Sequence, residues 1–223
     1  VKIRKIIFEG NTAFSDDHPY SSGGGMYLTW SDPTLNHVTI SGNSCDYEGG
    51  GIKMQNSNPI LNHVVIFGNI AGELSSARLQ GIGGGMLIRE SNPILTNVTI
   101  SGNDASGYGG GIDITWYSNP IIINSIIWLN TSDEGISNIN TYASGPSLFY
   151  NNIQNNPGDD DYTQDTTWTS GSHITTYSNN IDNDPLFVDS ENGNYTLQSG
   201  SPSIDAGTAD LDGDGVADIT EYN

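Results

Sequence analysis

Residues 49–69 read GGGIKMQNSNPILNHVVIFGN, and this stretch decides the fold. The same pattern stands upstream at 23–43, GGGMYLTWSDPTLNHVTISGN. It returns downstream at 83–103, GGGMLIRESNPILTNVTISGN, and at 109–130, GGGIDITWYSNPIIINSIIWLN. The glycine triplets begin at 23, 49, 83 and 109, in steps of 26, 34 and 26. A fixed period of this size describes stacked units, none of which can bury its apolar face alone.

Each unit is β in character. After the triplet, Met26 and Leu28, Ile52 and Met54, Met86 and Ile88, Ile112 and Ile114 alternate with Tyr27, Lys53, Leu87 and Asp113. Period-2 alternation marks a strand with one buried face. A second apolar run follows the Pro: Leu35, Val38, Ile40; Leu61, Val64, Ile66; Leu95, Val98, Ile100. Proline disfavours helix in the residue before it, so Asp32, Asn58, Asn92 and Asn119 mark corners. The pattern predicts a coil of three strands and three turns, with successive coils paired in parallel at a rise of roughly 4.8 Å.

Two further columns support stacking. Asn11, Asn43, Asn69, Asn103 and Asn130 close successive coils, where an amide can bond to the next coil and satisfy turn carbonyls. Two residues on, Ala13, Cys45, Ala71 and Ala105 share a slot that calls for a small inward side chain. Cys45 is the sole cysteine and reads as a buried thiol packed like a small hydrophobe.

The run GGGI-x-I…SNP-x-L-x-NVTISGN resembles the repeat of right-handed parallel β-helix proteins of the pectin-lyase-like superfamily. It is closer to the polymorphic-outer-membrane-protein type of repeat in bacterial surface proteins. The later stretches NSIIWLN, SLFYNNIQ and NIDNDPLFVDSENGNYTLQSGSPSIDAGT resemble the way such secreted domains end. The resemblance implies an all-β, right-handed parallel β-helix of about six to eight coils over residues 1–209, secreted or held at a bacterial cell surface. It leaves activity open, because the superfamily holds lyases, hydrolases, adhesins and binding domains.

Composition agrees with export. There are 28 glycines, and 26 acidic against 6 basic residues give a net charge of −20. Such a charge argues against nucleic acid as a partner, which requires basic patches, and against anionic lipid surfaces. No apolar run is long enough to span a bilayer. The chain begins directly in strand-like VKIRKIIF, which we take as an incomplete first coil, with further domains of a longer protein at one or both ends.

Residues 70–82 lengthen one coil and predict a projecting loop, and 131–180 blur the repeat, with Asp159–Asp161 in a second, solvated loop. The sharpest chemical motif is DLDGDGVADITE, residues 210–221. Asp210, Asp212 and Asp214 take positions 1, 3 and 5 of a calcium loop, and Gly215 makes the sharp turn. Val216 offers its carbonyl, Asp218 follows, and Glu221 binds through both oxygens. No amphipathic helix precedes it, so it resembles the bare calcium loops of bacterial surface proteins rather than a paired sensor. We expect calcium here, stiffening the C-terminal end of the domain.

The strands after the triplets also offer a binding face. With alternate residues pointing out, Tyr27, Lys53, Leu87 and Asp113 form one exposed row, Thr29, Gln55, Arg89 and Thr115 the next, and Trp30, Asn56, Glu90 and Trp116 the edge. Aromatic faces stack on sugar rings, and a flat β-helix face runs parallel to an extended glycan. The expected function is noncatalytic adhesion or glycan binding through Tyr27, Trp30, Lys53, Gln55, Arg89, Asp113 and Trp116. Two alternatives stand beside it. Lys53 and Arg89 on neighbouring coils could act as base and cation in a calcium-assisted polyuronate lyase, although Glu90–Asn223 holds no Lys or Arg. The domain could otherwise be a structural spacer.

The histidines do not form a metal set. His37 and His63 share a repeat position with Asn97 and Asn124, an exchange that indicates corner hydrogen bonding, and His18 and His173 stand apart. A hydroxyl row of Thr39, Ser41, Thr99 and Ser101 is broken by Val65 and Phe67.

Overall fold

The computed structural model describes residues 1–14, 20–72, 80–134, 138–155 and 174–210. The chain winds as a right-handed parallel β-helix. Sheet 1 stacks Met26–Thr29, Ile52–Gln55, Met86–Arg89, Ile112–Thr115 and Ile139–Tyr142. Sheet 2 has seven strands: Lys2–Arg4, Thr34–Asn36, Ile60–Asn62, Ile94–Thr96, Ile121–Ile123, Ser147–Phe149 and Thr176–Ser178. Sheet 3 stacks Ile7–Glu9, Thr39–Ser41, Val65–Phe67, Thr99–Ser101, Ile126–Trp128 and Asn152–Ile153.

A further sheet departs from the three-strand expectation. Thr12–Ala13, Ser44–Cys45, Ile70–Ala71, Asp104–Ala105 and Thr131–Ser132 form sheet 4, so each full coil has four strands. Two residues are too few to display alternation, which is why the sequence hid this strand. Its inward column is the small-residue slot, with Ala13 opposite Cys45, Cys45 opposite Ala71, and Ala71 opposite Ala105. Burial pushes the Cys45 thiol up to about 11, which removes its thiolate at neutral pH.

The core is a set of aligned columns. Leu35, Leu61, Leu95, Ile122 and Leu148 stack in sheet 2. Ile40, Ile66, Ile100, Ile127 and Ile153 stack in sheet 3. Ile52, Met86, Ile112 and Ile139 do the same in sheet 1. All are shielded from solvent, and each such side chain contributes about 1.5–3 kcal/mol by leaving water.

Asparagines and serines close the corners. Asn43 Nδ2 donates to Asn69 Oδ1, Asn69 to Asn103 and Asn103 to Asn130, each at 2.9 Å. The same amides donate back to the core strands: Asn69 Nδ2 meets Ile40 O at 3.0 Å. The third glycine of each triplet lies against this ladder. A Cβ on Gly51 would stand 2.5 Å from Gly85 O and 3.1 Å from the Asn69 carboxamide. A second ladder runs before the prolines, where Ser57, Ser91 and Ser118 hydroxyls accept the N–H of Ser31, Ser57 and Ser91 at 3.0–3.1 Å.

The described residues of the stretch whose sequence blurs continue the repeat. Asn138 replaces the last glycine of a triplet and accepts the Asn130 amide at 3.0 Å. After Ile181, which still bridges Asn152 in parallel, the chain leaves the stack. Phe187–Asp189 and Asn194–Leu197 form an antiparallel pair, and Tyr195 sits against Phe67 with ring centres 5.2 Å apart. This return segment lies on the outer side of sheet 3, where Ser41 and Ser101 of the broken hydroxyl row are buried.

Candidate functional site

The candidate site is the outer side of sheet 1 and the corner that follows it. Gly49 turns the chain at φ +69°, where a Cβ would stand 2.4 Å from Ile52 O. That bend sets Glu48 beside the outer row of the strand it introduces. Glu48 bridges Ser22 of the coil before and Ile82 of the coil after in parallel. Of these three equivalent positions only Glu48 is acidic.

Glu48 ties two coils together. Its Oε2 lies 2.6 Å from Lys53 Nζ, and its Oε1 lies 2.5 Å from Arg89 Nη2. The Tyr27 ring covers the Lys53 ammonium at 4.9 Å from the ring centre, a cation–π contact. The Tyr27 hydroxyl donates to Gln55 Oε1 at 2.9 Å.

The expectation of an exposed row is corrected here. Lys53 is 8 % exposed, Asp113 is 1 % exposed, and Leu87 between them is fully buried. Lys53 is enclosed by its carboxylate partner and the Tyr27 ring. Asp113 is flanked in register by Leu87 and Asn140. Asn140 Nδ2 donates to Asp113 Oδ2 at 2.6 Å, while Oδ1 has no hydrogen-bond partner among the described residues. Burial pushes the Asp113 carboxyl up to about 7, against the favourable Asn140 hydrogen bond and Arg89 charge, with Glu48 adding to the rise. Arg89 and Gln55 are half-buried, and Tyr27 is exposed.

The corner carries the exposed groups. Trp30, Asn56, Glu90 and Trp116 all adopt left-handed backbone at φ +48° to +54°, which throws their side chains outward past the strand end. Trp30 is 81 % exposed and Trp116 is 47 % exposed. The coil containing Trp116 has one more residue, Tyr117, also left-handed and exposed. Trp116 meets Tyr142 of the next coil edge to face at 5.8 Å. The structure thus brings Tyr27, Lys53, Gln55 and Arg89 together around Glu48. It sets Trp30 and Trp116 on one edge, three coils apart, and buries Asp113.

Chemically, this surface has its two cations paired with Glu48 and its aromatic rings in solvent. A Lys ammonium in an ion pair has no lone pair with which to take a proton. Glu48 is the residue that sequence reasoning missed. Its one signal is that an acid stands before a glycine triplet where Ser22, Ile82 and Tyr108 stand in the other coils.

At the next corner along the coil, between sheets 2 and 3, His37 and His63 stack with ring centres 4.8 Å apart. His63 Nε2 meets Asn97 Nδ2 at 3.3 Å. Of the calcium loop, only Asp210 is described; Asp212, Asp214, Val216, Asp218 and Glu221 lie outside the described residues, as do His18, His173, Asp159–Asp161 and the middle of the 70–82 insertion. Asp210 is anchored by Thr208, whose hydroxyl donates to Asp210 O at 2.8 Å. Among the described residues no helix is long and apolar enough to cross a membrane.

Four parallel sheets around one column-built core, with an aromatic edge beside sheet 1, define a right-handed parallel β-helix repeat protein. No family model, no curated protein and no solved structure matches this chain.

Proposed function

We propose that the chain is a noncatalytic glycan-binding domain of a secreted or bacterial surface protein, with a pectin-lyase-like β-helix of the polymorphic-outer-membrane-protein repeat type. One observation carries this reading: tryptophans stand in solvent along one edge while the cations of the same face are bound to Glu48. Aromatic rings bury large apolar area at small entropic cost, and a row along the solenoid axis suits an extended chain of sugars. Gln55, half-buried beside the edge, supplies an amide for hydroxyl groups. Calcium on the 210–221 loop stiffens the end of the domain through Asp210, Asp212, Asp214, Asp218, Glu221 and the Val216 carbonyl.

A glycan array followed by titration of the best ligand tests the reading. Trp30→Asn and Trp116→Asn use the residue that the corner itself holds at Asn56, and asparagine tolerates left-handed backbone. Each should weaken binding about tenfold (~1.4 kcal/mol) with an unchanged melting temperature. Unsaturated uronate absorbance from a polyuronate panel incubated with protein and calcium, abolished by Lys53→Ala, would instead establish the lyase. Array silence would favour the spacer.

A further inference from the structure

A cavity of 490 Å³ lies at the other end of sheet 2 from the tryptophan edge. One wall is the corner between sheets 2 and 3, where Asn97, Asn124 and Tyr150 stack in left-handed backbone on successive coils. The other wall is the returning segment 203–209. Apolar floor comes from Ile126, Ile181 and Leu197.

The second wall is fixed rather than draped. Asn124 Nδ2 donates to Thr208 O at 2.7 Å, and Thr208 N–H donates to Asn124 Oδ1 at 2.9 Å. Gly207 passes so close that a Cβ would stand 2.8 Å from Asn124 Oδ1. Asn152 Nδ2 donates to Ser203 Oγ at 2.8 Å. Two pins, one at each end of the strap, hold the cavity open. A preformed site does not spend binding free energy on ordering its own walls.

The lining chooses the ligand. The volume falls in the range of small-molecule sites, roughly 300–1,000 Å³. Asp205, exposed on the strap, and the half-buried Asn97 and Tyr150 bring a carboxylate, a carboxamide and a phenol to the lining. Acceptors, a hydroxyl and apolar side chains thus share one cavity. Among the described residues no lysine or arginine lines the cavity, and the chain carries a net charge of −20, so uronates, sulfates and phosphates are repelled. Hydroxyl groups on an apolar ring, without charge, match both features.

We propose that this cavity binds a neutral saccharide unit, with Asp205 and Asn97 accepting its hydroxyl protons and the Tyr150 ring packed on its face. The site shares no residue with the tryptophan edge, so the two readings stand or fall separately.

Saturation-transfer NMR on the full chain tests it. The probes are methyl glycosides of glucose, galactose, mannose, fucose and N-acetylglucosamine, with methyl galacturonoside as the charged comparison. Transfer to at least one neutral glycoside is expected, with little to the uronoside. Asp205→Asn keeps the left-handed backbone and should weaken binding roughly tenfold by removing a charged acceptor. Asn97→Gly should weaken it also, and both effects should persist in the Trp30→Asn/Trp116→Asn background, which removes the other proposed saccharide surface. Circular dichroism melts confirm that each variant folds. Absence of transfer from every neutral probe overturns the proposal. So does equal binding of the uronoside, or binding unaffected by Asp205→Asn and Asn97→Gly together.

Discussion

Lys53 Nζ lies 2.6 Å from Glu48 Oε2, with both side chains largely withdrawn from water. Glu48 also holds Arg89 of the next coil, so this one carboxylate neutralises two of the six basic residues in the chain.

Removing that carboxylate should be costly. Glu48→Gln leaves a buried ammonium without its counter-charge, and breaking a buried pair costs about 3–5 kcal/mol. We expect the melting temperature to fall by roughly 6–20 °C. The double variant Glu48→Gln/Lys53→Met should recover most of the loss, since an apolar side chain of similar length needs no counter-charge. Calorimetric melts of the two proteins measure this.

Asp113 gives stability a defined pH dependence. Burial pushes its carboxyl up from the ordinary 3.8 to about 7. Below pH 4 both states hold the proton, and above pH 7 both release it. Between these values the folded state binds the proton and the unfolded state does not, so this group makes stability fall as pH rises from 4 to 7. Glu48 and Arg89 are the charges facing it. Asp113→Asn should therefore stabilise the protein at pH 8, by up to about 4 kcal/mol, and leave it little changed at pH 4. Denaturant unfolding at the two pH values decides the matter.

The corner ladder should behave as a unit. Asn69→Ala strands the Asn43 amide and the Ile40 carbonyl in the interior, and orphaned buried groups cost about 1–3 kcal/mol each. Gly85→Ala would place a Cβ 2.6 Å from Gly111 O and 3.0 Å from the Asn103 carboxamide, forcing adjacent coils apart. We expect both variants to melt lower than wild type. Gly42→Ala, at a corner with nothing within 4 Å of its Cβ, should lose only the cost of left-handed backbone, about 1 kcal/mol.

Calcium should raise the melting temperature if 210–221 binds it. Ligand at a hundredfold excess over its dissociation constant adds about 2.7 kcal/mol. Chelation should reverse the rise, and Asp212→Asn should abolish it. An unchanged melt with and without calcium would remove the metal from this account.

The coil was legible because its signals are repeated and local. Leu35, Leu61 and Leu95 fall in one register in the sequence and pair so in the fold. The amide role of Asn43, Asn69 and Asn103 was likewise written in their spacing. Sheet 4 was not, because two-residue strands carry no period. The exposure of the sheet 1 face was misread for a different reason. Alternation tells which way a side chain points but not what lies over it, and Glu48 sits in a bend outside the repeated block. The cavity beside Asn124 could not be read at all, since Thr208 reaches Asn124 across 84 residues.

The central claim is that Trp30 and Trp116 form a glycan-binding edge on a face whose cations are already paired. Isothermal titration of the array-selected glycan into wild type and the Trp30→Asn/Trp116→Asn variant tests it most directly. The account predicts binding by wild type and a loss of roughly a hundredfold in the variant, with the ligand recovered intact. Equal affinity of the two proteins, or a shortened ligand, would contradict it.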